Sequence, residues 1–484
     1  MLGNFARRIS QPQTSEDLAA RLSWGNPVEI AAVEARLMGT APVCLNGGKW
    51  MAVDEHGRGF LVHVEDVSGG MGSFAITLHV FDVTHPAQLT IAHHIAPTNG
   101  ARTLAAPCIA ISSGPIETRF VVAFLGQPLG GGRFGSIYIA AGTLSPPRAG
   151  RMTSPVLRVY NVLELQPPYE DISEPSVFMD NADHVHLVYT ARTANAQPTV
   201  IAYSRAEWLG DPNTWRWTGR ALGGLGYDMR NPSVAARWQD GQLVVVAACK
   251  VRQPTSVGEL SDVYQNTATG RGRLQNWRGW EFLSGVDLLS GNRPMPENDN
   301  SCGDPSAWVA GDGQFCIGYH ERTPNLTGTP VFPCITTNAS PERASSSWVR
   351  HVMDPDHTNS LDNFVCVSSD GEQGVCVWES RDGPLGDPAR WATGVAILSD
   401  STSSDWALSD PTNSWGINLD PISGQEMLVF PTCYMAHSKF FVAWLYVDRS
   451  QDGSTAGGPL DSPLTWPSAP VGAVVSLQFL VGVL

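Results

Sequence analysis

EPSVFMDNADHVHLVYTAR, residues 174–192, is the clearest copy of a unit that recurs along this 484-residue chain. The unit has a polar residue before Pro-Ser, then a short apolar run, a turn and a second apolar run. Further copies are NPSVAARWQDGQLVVVAACK (231–250) and DPSAWVAGDGQFCIGYHER (304–322). Asp-Gly between two apolar runs is a strong hairpin signal, because both residues tolerate the positive φ of a tight turn. The unit therefore predicts an antiparallel hairpin.

Weaker copies of the unit lie on both sides of these three. They are WMAVDEHGRGFLVHV (50–64), PCIAISSGPIETRFVVAF (107–124), NFVCVSSDGEQGVCVW (363–378) and SWGINLDPISGQEMLVF (414–430). The copies start roughly 50 to 70 residues apart, a spacing typical of large propeller blades. One blade cannot bury both of its faces, so blades must stack in a closed ring. We predict an all-β fold, a six- or seven-bladed β-propeller, with a β-sandwich as the structural alternative.

The two ends of the chain differ from the repeated units. Thr14 and Asp17 form a capping-box pattern, which predicts a short helix in an N-terminal segment, residues 1–40. The propeller is expected over residues 41–450. Residues 451–484 are expected to be a linker and an apolar β-strand that closes the ring or docks on a neighbouring subunit.

Composition excludes several classes of function. The net charge of -15 and the pI near 5.2 argue against nucleic acid as a partner, because no basic surface is available to bind phosphates. No apolar run is long enough for a transmembrane helix. The first residues lack the apolar core of a secretory signal, so we expect synthesis in a cytoplasm. The nine cysteines show no CxxC spacing, which favours buried free thiols over a zinc site, and no motif indicates a cofactor.

Charged residues recur at one end of the predicted hairpins. Glu174, Asn231 and Asp304 precede Pro-Ser, where the innermost strand of a blade begins at a mouth of the central channel. The second strand returns to the same mouth and ends in a cation, which is Lys250 in one copy and otherwise one of Arg192, Arg322, Arg381 and Arg449. One interpretation is structural: the acids cap turns, and each arginine pairs with an acid of the neighbouring blade.

The other interpretation is a glycosidase site. Glu174 and Asp304 would be paired carboxylates, Glu321 or Glu379 would be a third acid, and the arginines would orient an anionic sugar. Trp406 and Trp415 lie in a polar segment and are candidates for stacking on a sugar ring. His184 and His186 lie two apart on a strand and so share one face, but no third metal ligand is identifiable, and we predict no metal site.

Two stretches carry a resemblance to a known group of propellers. In YSRAEWLGDPNTW (203–215) and ESRDGPLGDPARW (379–391), a serine is followed by a GDPxxW turn that looks like a stretched Asp-box. With the Pro-Ser hairpin, this resembles the repeats of the sialidase-like and arabinanase-like propellers. The resemblance covers most of residues 42–450 and implies acidic catalytic residues at strand starts and a glycan substrate. A full S-x-D-x-G-x-x-W box is absent.

Three classes of function follow from these patterns. The first is a non-catalytic virion propeller, in a bacteriophage tail or baseplate, for assembly or host-surface attachment. Its partners would be other virion subunits or further copies of itself, with a glycan as possible ligand and no membrane insertion. The second is a glycoside hydrolase acting on a surface glycan. The third is a cellular scaffold, with a cytoplasmic location, which lacks support because WD40 signatures are missing. We rank the virion propeller first.

Overall fold

The computed structural model describes most of the chain. The described ranges are 19–33, 49–66, 74–86, 90–95, 103–127, 136–147, 156–164, 171–192, 198–208, 215–255, 258–271, 276–285, 301–302, 304–322, 331–352, 365–369, 373–382, 390–398, 406–409, 426–436, 439–448 and 474–483.

Thirty β-strands make up nearly all of the described residues, and they group into seven radial units of about four strands, which we number as blades. Blade 1 contains β3 (Met51–Val53), β4 (Arg58–Asp66), β5 (Phe74–Asp82) and β6 (Thr90–Ile95). Blade 2 contains β7 (Thr103–Ser113), β8 (Thr118–Gln127), β9 (Ser136–Leu144) and β10 (Val156–Glu164). Blade 3 contains β11 (Asp171–Met179), β12 (His184–Arg192), β13 (Val200–Glu207) and β14 (Thr218–Ala221).

The remaining four blades complete the circle. Blade 4 contains β15 (Asp228–Gln239), β16 (Gln242–Thr255), β17 (Gly258–Gly270) and β18 (Asn276–Gly285). Blade 5 contains β19 (Ser301–Cys302), β20 (Ser306–Val309), β21 (Phe315–Arg322), β22 (Val331–Asn338) and β23 (Val349–Val352). Blade 6 contains β24 (Cys366–Ser369), β25 (Gly374–Asp382), β26 (Arg390–Leu398) and β27 (Trp406–Ser409). Blade 7 contains β28 (Glu426–Ala436), β29 (Lys439–Asp448) and β30 (Val474–Val483), with β1 (Ser23–Trp24) and β2 (Val28–Val33).

The innermost strands form a closed circle. In order these are β3, β7, β11, β15, β20, β24 and β28, and each contacts the next, with β28 returning to β3. By hydrogen bonding there are six sheets, because one parallel pair, Trp391 with Met427, joins blades 6 and 7 into a nine-stranded sheet. The predicted all-β propeller of six or seven blades is confirmed.

Both chain ends contribute to blade 7. The C-terminal strand β30 pairs with β29 on one side and with β1 and β2 on the other. Residues 19–21 are helical, and the rest of the predicted N-terminal helix lies outside the described residues. The domain boundaries proposed from the sequence stay predictions.

Apolar side chains on both faces of each blade hold the ring together. On β12, Val185, Leu187 and Tyr189 pack toward blade 2, while Val188 packs toward blade 4. Successive strand residues point to opposite faces, so a strand buried on both sides needs consecutive apolar residues, which Leu187, Val188 and Tyr189 supply. The seven cysteines whose side chains are described are buried free thiols, as predicted. Among the described residues, no helix has the length and apolar character to cross a membrane.

Proline interrupts the innermost strands at one end of the channel. The pairing register skips Ala106-Pro107, Glu174-Pro175 and Asn231-Pro232, and the residue before each proline has a φ of 54°, 54° and 48°. Proline has no N–H for the ladder, so a bulge accommodates it. In blade 5, Asp304-Pro305 separates β19 from β20.

These bulges and the hairpin turns mark the two ends of the channel. We call the end where residues 106, 174, 231 and 304 precede proline the proline mouth. We call the opposite end the turn mouth, formed by the hairpin turns at residues 54–58, 180–184, 239–242 and 310–314. The Asp-Gly turn predicted from the sequence is present there, with a φ of 52° at Asp240 and 73° at Gly241.

Candidate functional site at the proline mouth

Glu174 joins two blades at the proline mouth. Its Oε2 accepts a hydrogen bond from Thr190 Oγ1 at 2.6 Å and another from the backbone N–H of Asn231 at 2.7 Å. Arg230 Nη1 lies 3.8 Å from Oε1. Because Thr190 belongs to blade 3 while Arg230 and Asn231 belong to blade 4, this carboxyl group bridges the interface between them.

Burial gives the Glu174 carboxyl group an unusual proton affinity. Burial raises its pKa, and this outweighs the lowering by the Arg230 charge and by the hydrogen bonds from Thr190 and Asn231. The negative charge of Asp304 raises the pKa of Glu174 further. The two acids that precede Pro-Ser in blades 3 and 5 therefore interact electrostatically.

Two further predicted acids, Asp304 and Glu321, are also paired with cations. Asp304 Oδ1 lies 3.8 Å from Lys250 Nζ, and both side chains are buried. Glu321 Oε2 lies 2.5 Å from Arg350 Nη2, and Arg350 belongs to the outermost strand of the same blade. The structure therefore provides a cation for Glu174, Asp304 and Glu321, but Arg350 and Arg230 were not among the cations predicted from the sequence.

Two arginines at this mouth retain unused hydrogen-bonding capacity. Arg192 and Arg230 both lower the pKa of Asp228, whose burial alone would raise it and whose carboxylate also accepts the backbone N–H of Thr199 at 2.9 Å. Arg192 and Arg230 each have a buried Nε with no acceptor among the described residues. A buried donor without an acceptor costs free energy, so this pair of guanidinium groups is suited to an oxyanion.

Several predicted residues lie outside what the structure describes. Arg322 is the last residue of β21, and both Glu379 and Arg381 lie in β25. The side chains of these three residues are not described. The same holds for the side chain of Trp406, at the start of β27, and for Arg449 and Trp415 altogether. Their proposed roles stay predictions.

His184 and His186 lie at the turn mouth and contact one acid. Asp180 Oδ2 lies 3.0 Å from His184 Nδ1 and 3.1 Å from His186 Nε2, and His186 Nδ1 lies 2.8 Å from the Tyr203 hydroxyl. Burial would raise the pKa of Asp180, but the hydrogen bonds from both imidazoles hold it well below its usual range. Within the described residues, no group of three His, Cys, Asp or Glu side chains could hold a metal ion.

Sequence reasoning missed Thr190, Asp228 and Arg230. Arg230 directly precedes the Asn-Pro dipeptide, and Asp228 lies two residues earlier on the same strand face. Comparing the residues just before each proline in the repeated units could have identified Arg230 and Asp228. Thr190 carried no such signal, because a threonine within an apolar strand is typical of strand structure.

Comparisons with known proteins find similar solved structures, but no matching family model and no matching curated sequence. Solved structures with a similar fold include the phage phi92 endosialidase, at 8% identity and a TM-score of 0.46, with 95% of this chain and 69% of that chain covered. A Trypanosoma rangeli sialidase is 8% identical with a TM-score of 0.43, and the match covers 90% of this chain and 54% of that chain. An endo-arabinase from Bacteroides thetaiotaomicron is 14% identical with a TM-score of 0.34, and the match covers 64% of this chain and 96% of that chain.

Each of these three likenesses has a TM-score below 0.5, so none of them carries an argument about this chain. This chain spans about half the length of the Trypanosoma rangeli sialidase, with 54% of that chain covered. At such identities a likeness concerns the fold alone, and fold does not fix function. Roles for residues must come from the geometry of this chain.

Proposed function

We propose that this chain is a non-catalytic propeller of a bacteriophage tail or baseplate, and that its proline mouth binds an acidic saccharide on the host surface. The observation that carries the proposal is the pair Arg192 and Arg230, whose buried Nε atoms have no acceptor among the described residues. A guanidinium group binds a carboxylate through paired, charge-assisted hydrogen bonds. A sugar acid supplies such a carboxylate.

The pairing of the acids supports binding without catalysis. Glu174, Asp304 and Glu321 each face a cation, respectively Arg230, Lys250 and Arg350. Two of these pairs connect neighbouring blades and the third connects two strands of blade 5, so they serve to hold the mouth in shape. The virion setting is supported by the propeller architecture with its Gly- and Pro-rich connections, which suits a subunit surrounded by others.

Binding is tested by isothermal titration calorimetry with acidic oligosaccharides and with neutral ones of equal length. We expect binding of an acidic oligosaccharide only, and a loss of about tenfold or more in affinity for Arg192→Met and for Arg230→Met. Arg220→Met is the matched control, because Arg220 is exposed on β14 of the same blade as Arg192. Equal affinity for neutral sugars, or unchanged affinity in both variants, would contradict the proposal.

Glycoside hydrolysis is a second candidate, favoured by the raised pKa of Glu174 with Asp304 nearby. A carboxylic acid that keeps its proton is suited to be a general acid, and a second carboxylate completes the pair that glycosidases use. Chromatography of the oligosaccharides after long incubation distinguishes the two functions. Shortened products that disappear with Glu174→Gln and with Asp304→Asn would establish the hydrolase.

The virion setting needs its own experiment. Antibodies raised against the purified chain should label the tail of phage particles that carry the gene, as seen by immunogold electron microscopy. Labelling confined to host cells, with unlabelled particles, would remove the virion part of the proposal and leave saccharide binding to be judged separately.

A further inference from the structure

Lys49 crosses the central channel between its two mouths. It lies two residues before the innermost strand of blade 1, and its Nζ donates a hydrogen bond of 2.8 Å to the backbone carbonyl of Val234 in blade 4, on the other side of the ring. The ammonium group lies 5.8 Å from the centre of the Phe178 ring of blade 3. Only 8% of Lys49 is exposed, so a positively charged group is held inside the ring.

No acid among the described residues forms a salt bridge with Lys49. Burial lowers its pKa to about 8, while the neighbouring thiols of Cys108 and Cys366 act in the opposite direction. An ammonium group has three donors, and the Val234 carbonyl uses one of them. A buried charge with one neutral acceptor and one aromatic face is poorly compensated.

A cavity lies beside this ammonium group. Its volume is about 130 Å³, and most of its lining is apolar, including Met51, Ile109, Val177 and Trp308. Ile111, Phe178 and Met179 line both this cavity and a wider cleft of about 470 Å³ at the turn mouth, so the cleft gives a route inward. An engineered apolar cavity of about 150 Å³ is known to hold one benzene molecule, so this cavity suits a ligand of about six heavy atoms.

From this geometry we propose that the central channel binds a small organic carboxylate, whose charged end pairs with Lys49 and whose short hydrocarbon chain fills the apolar cavity. The carboxylate gives Lys49 a salt-bridge partner in the cavity, and the described ionisable neighbours of Lys49 include the thiols of Cys108 and Cys366. The apolar end of the ligand leaves water for side chains such as Ile109 and Met51, and this burial of methylene groups favours binding. This site lies inside the ring and is independent of the saccharide site at the proline mouth.

Calorimetry with pentanoate, and with the neutral pentanamide as its isostere, tests the charge requirement. We expect pentanoate to bind and pentanamide to bind about tenfold more weakly or not measurably, because a hydrogen bond between charged groups is stronger than one to a neutral amide. Lys49→Met should abolish the preference for the carboxylate. Lys439→Met is the control, because Lys439 lies on β29 and does not line the cavity.

Two further measurements keep the test valid if Lys49→Met fails to fold. Ala110→Leu places extra atoms against the cavity, which Ala110 lines, and should prevent binding while Lys49 is kept. The chain has three lysines, at 49, 250 and 439, so nitrogen-15 labelling of lysine gives three side-chain signals to assign. Pentanoate should shift the signal of Lys49 and leave that of Lys439 unchanged.

The binding experiments with pentanoate and pentanamide have three outcomes, each of which supports or overturns the proposal. Selective carboxylate binding that is lost in Lys49→Met or Ala110→Leu supports the site. Equal binding of pentanoate and pentanamide would show an apolar cavity only and overturn the role of Lys49. Absence of binding and of any Lys49 shift at about 20 mM pentanoate, a concentration at which even a millimolar site is occupied, would overturn the site itself.

Discussion

The two mouths of the channel hold their charged groups in different ways. At the turn mouth, Arg58 lies 2.6 Å from Asp54 and also contacts Thr118, and the Asp54 carboxylate caps two backbone N–H groups of its own turn. At the proline mouth the Glu174–Arg230 and Asp304–Lys250 contacts are 3.8 Å long. Arg192 and Arg230 there each keep a buried Nε without an acceptor among the described residues, as Arg237 does at the turn mouth. Satisfied networks stabilise the ring, whereas unsatisfied cations are available to a ligand.

The same aspartate-capped turn occurs in two blades at the turn mouth. Asp54 and Asp180 occupy the same place in their turns, since each accepts the backbone N–H groups two and four residues later, at 2.9 Å. Each also contacts the side chain four residues later, Arg58 or His184. In blade 5 the same position is Ala310, with the same backbone hydrogen bonds in its turn. The carboxylate is therefore a stabilising addition to a turn that forms without it.

The largest effect is expected from breaking the most satisfied network. Asp54→Asn leaves the Arg58 guanidinium buried without its counter-charge, because both side chains are at most 1% exposed. We expect the free energy of unfolding to fall by about 3–5 kcal/mol in urea denaturation. Asp312→Asn is the control, as this exposed aspartate caps one N–H of the equivalent turn in blade 5, and it should change little. A loss for Asp54→Asn as small as that of the control would contradict our account of the turn mouth.

The second effect concerns Asp180 and its two histidines. Asp180→Asn should lower the free energy of unfolding by about 2 kcal/mol at pH 7, the usual contribution of hydrogen bonds to a charged group. The folded pKa of Asp180 lies below the ordinary value of 3.8, so its contribution is present above pH 3.8 and is lost as the pH falls below it. Urea denaturation should therefore show the deficit of the variant shrinking below about pH 4. A deficit that stays constant down to pH 2 would argue against ionisation as its cause.

A third test compares two serines that follow proline. Ser233 Oγ accepts the backbone N–H of Ala307 in the next blade at 2.8 Å, whereas Ser176 Oγ has no partner among the described residues. Ser233→Ala should lower the free energy of unfolding by about 1–2 kcal/mol, because it leaves a buried N–H unsatisfied. Ser176→Ala should be neutral or stabilising in the same thermal or urea denaturation. The reverse order would mean that this hydroxyl does not connect blades 4 and 5.

The smallest change in the free energy of unfolding is expected for Glu174→Gln, and this variant should gain stability where the others lose it. Its folded pKa lies above the ordinary value of 4.5, so the folded state holds a proton that the unfolded state releases. Stability of the native protein should therefore decrease as the pH rises from 4.5 through the folded pKa. Glu174→Gln should remove this decrease and gain stability relative to the native protein over that window, as measured by urea denaturation at each pH. If Glu174→Gln instead loses stability relative to the native protein as the pH rises, the fold stabilises Glu174 as a carboxylate.

Much of the fold could be predicted from local sequence. Asp240-Gly241 marked a hairpin, and the turn is there with positive φ at both residues. The Pro-Ser units marked the start of the innermost strands, but not the bulge that puts Glu174 in the left-handed region. The contribution of β2 to blade 7 was not predicted, because its partner β30 lies more than 440 residues away and pairing between distant strands leaves no local pattern.

The candidate site was predicted only in outline. Glu174 and Asp304 were placed at one mouth, as the identical position before proline implied. Arg230 and Lys49 were not identified, since the comparison of the units stopped at the residue directly before each proline, and Lys49 follows two glycines at the edge of an apolar strand. Their importance comes from what surrounds them: a carboxyl group of another blade in one case and an apolar cavity in the other.

Repetition of the Pro-Ser hairpin determined, by itself, that this chain folds into a ring of β-sheets, because each apolar blade must be covered by the next. Tertiary structure decided which charges meet across blades, which donors stay unsatisfied and where the channel leaves a cavity. The physical reason is that apolar periodicity is a local property of the chain, whereas the pairing and burial of charges depend on strands that are distant in sequence and adjacent only in the closed ring.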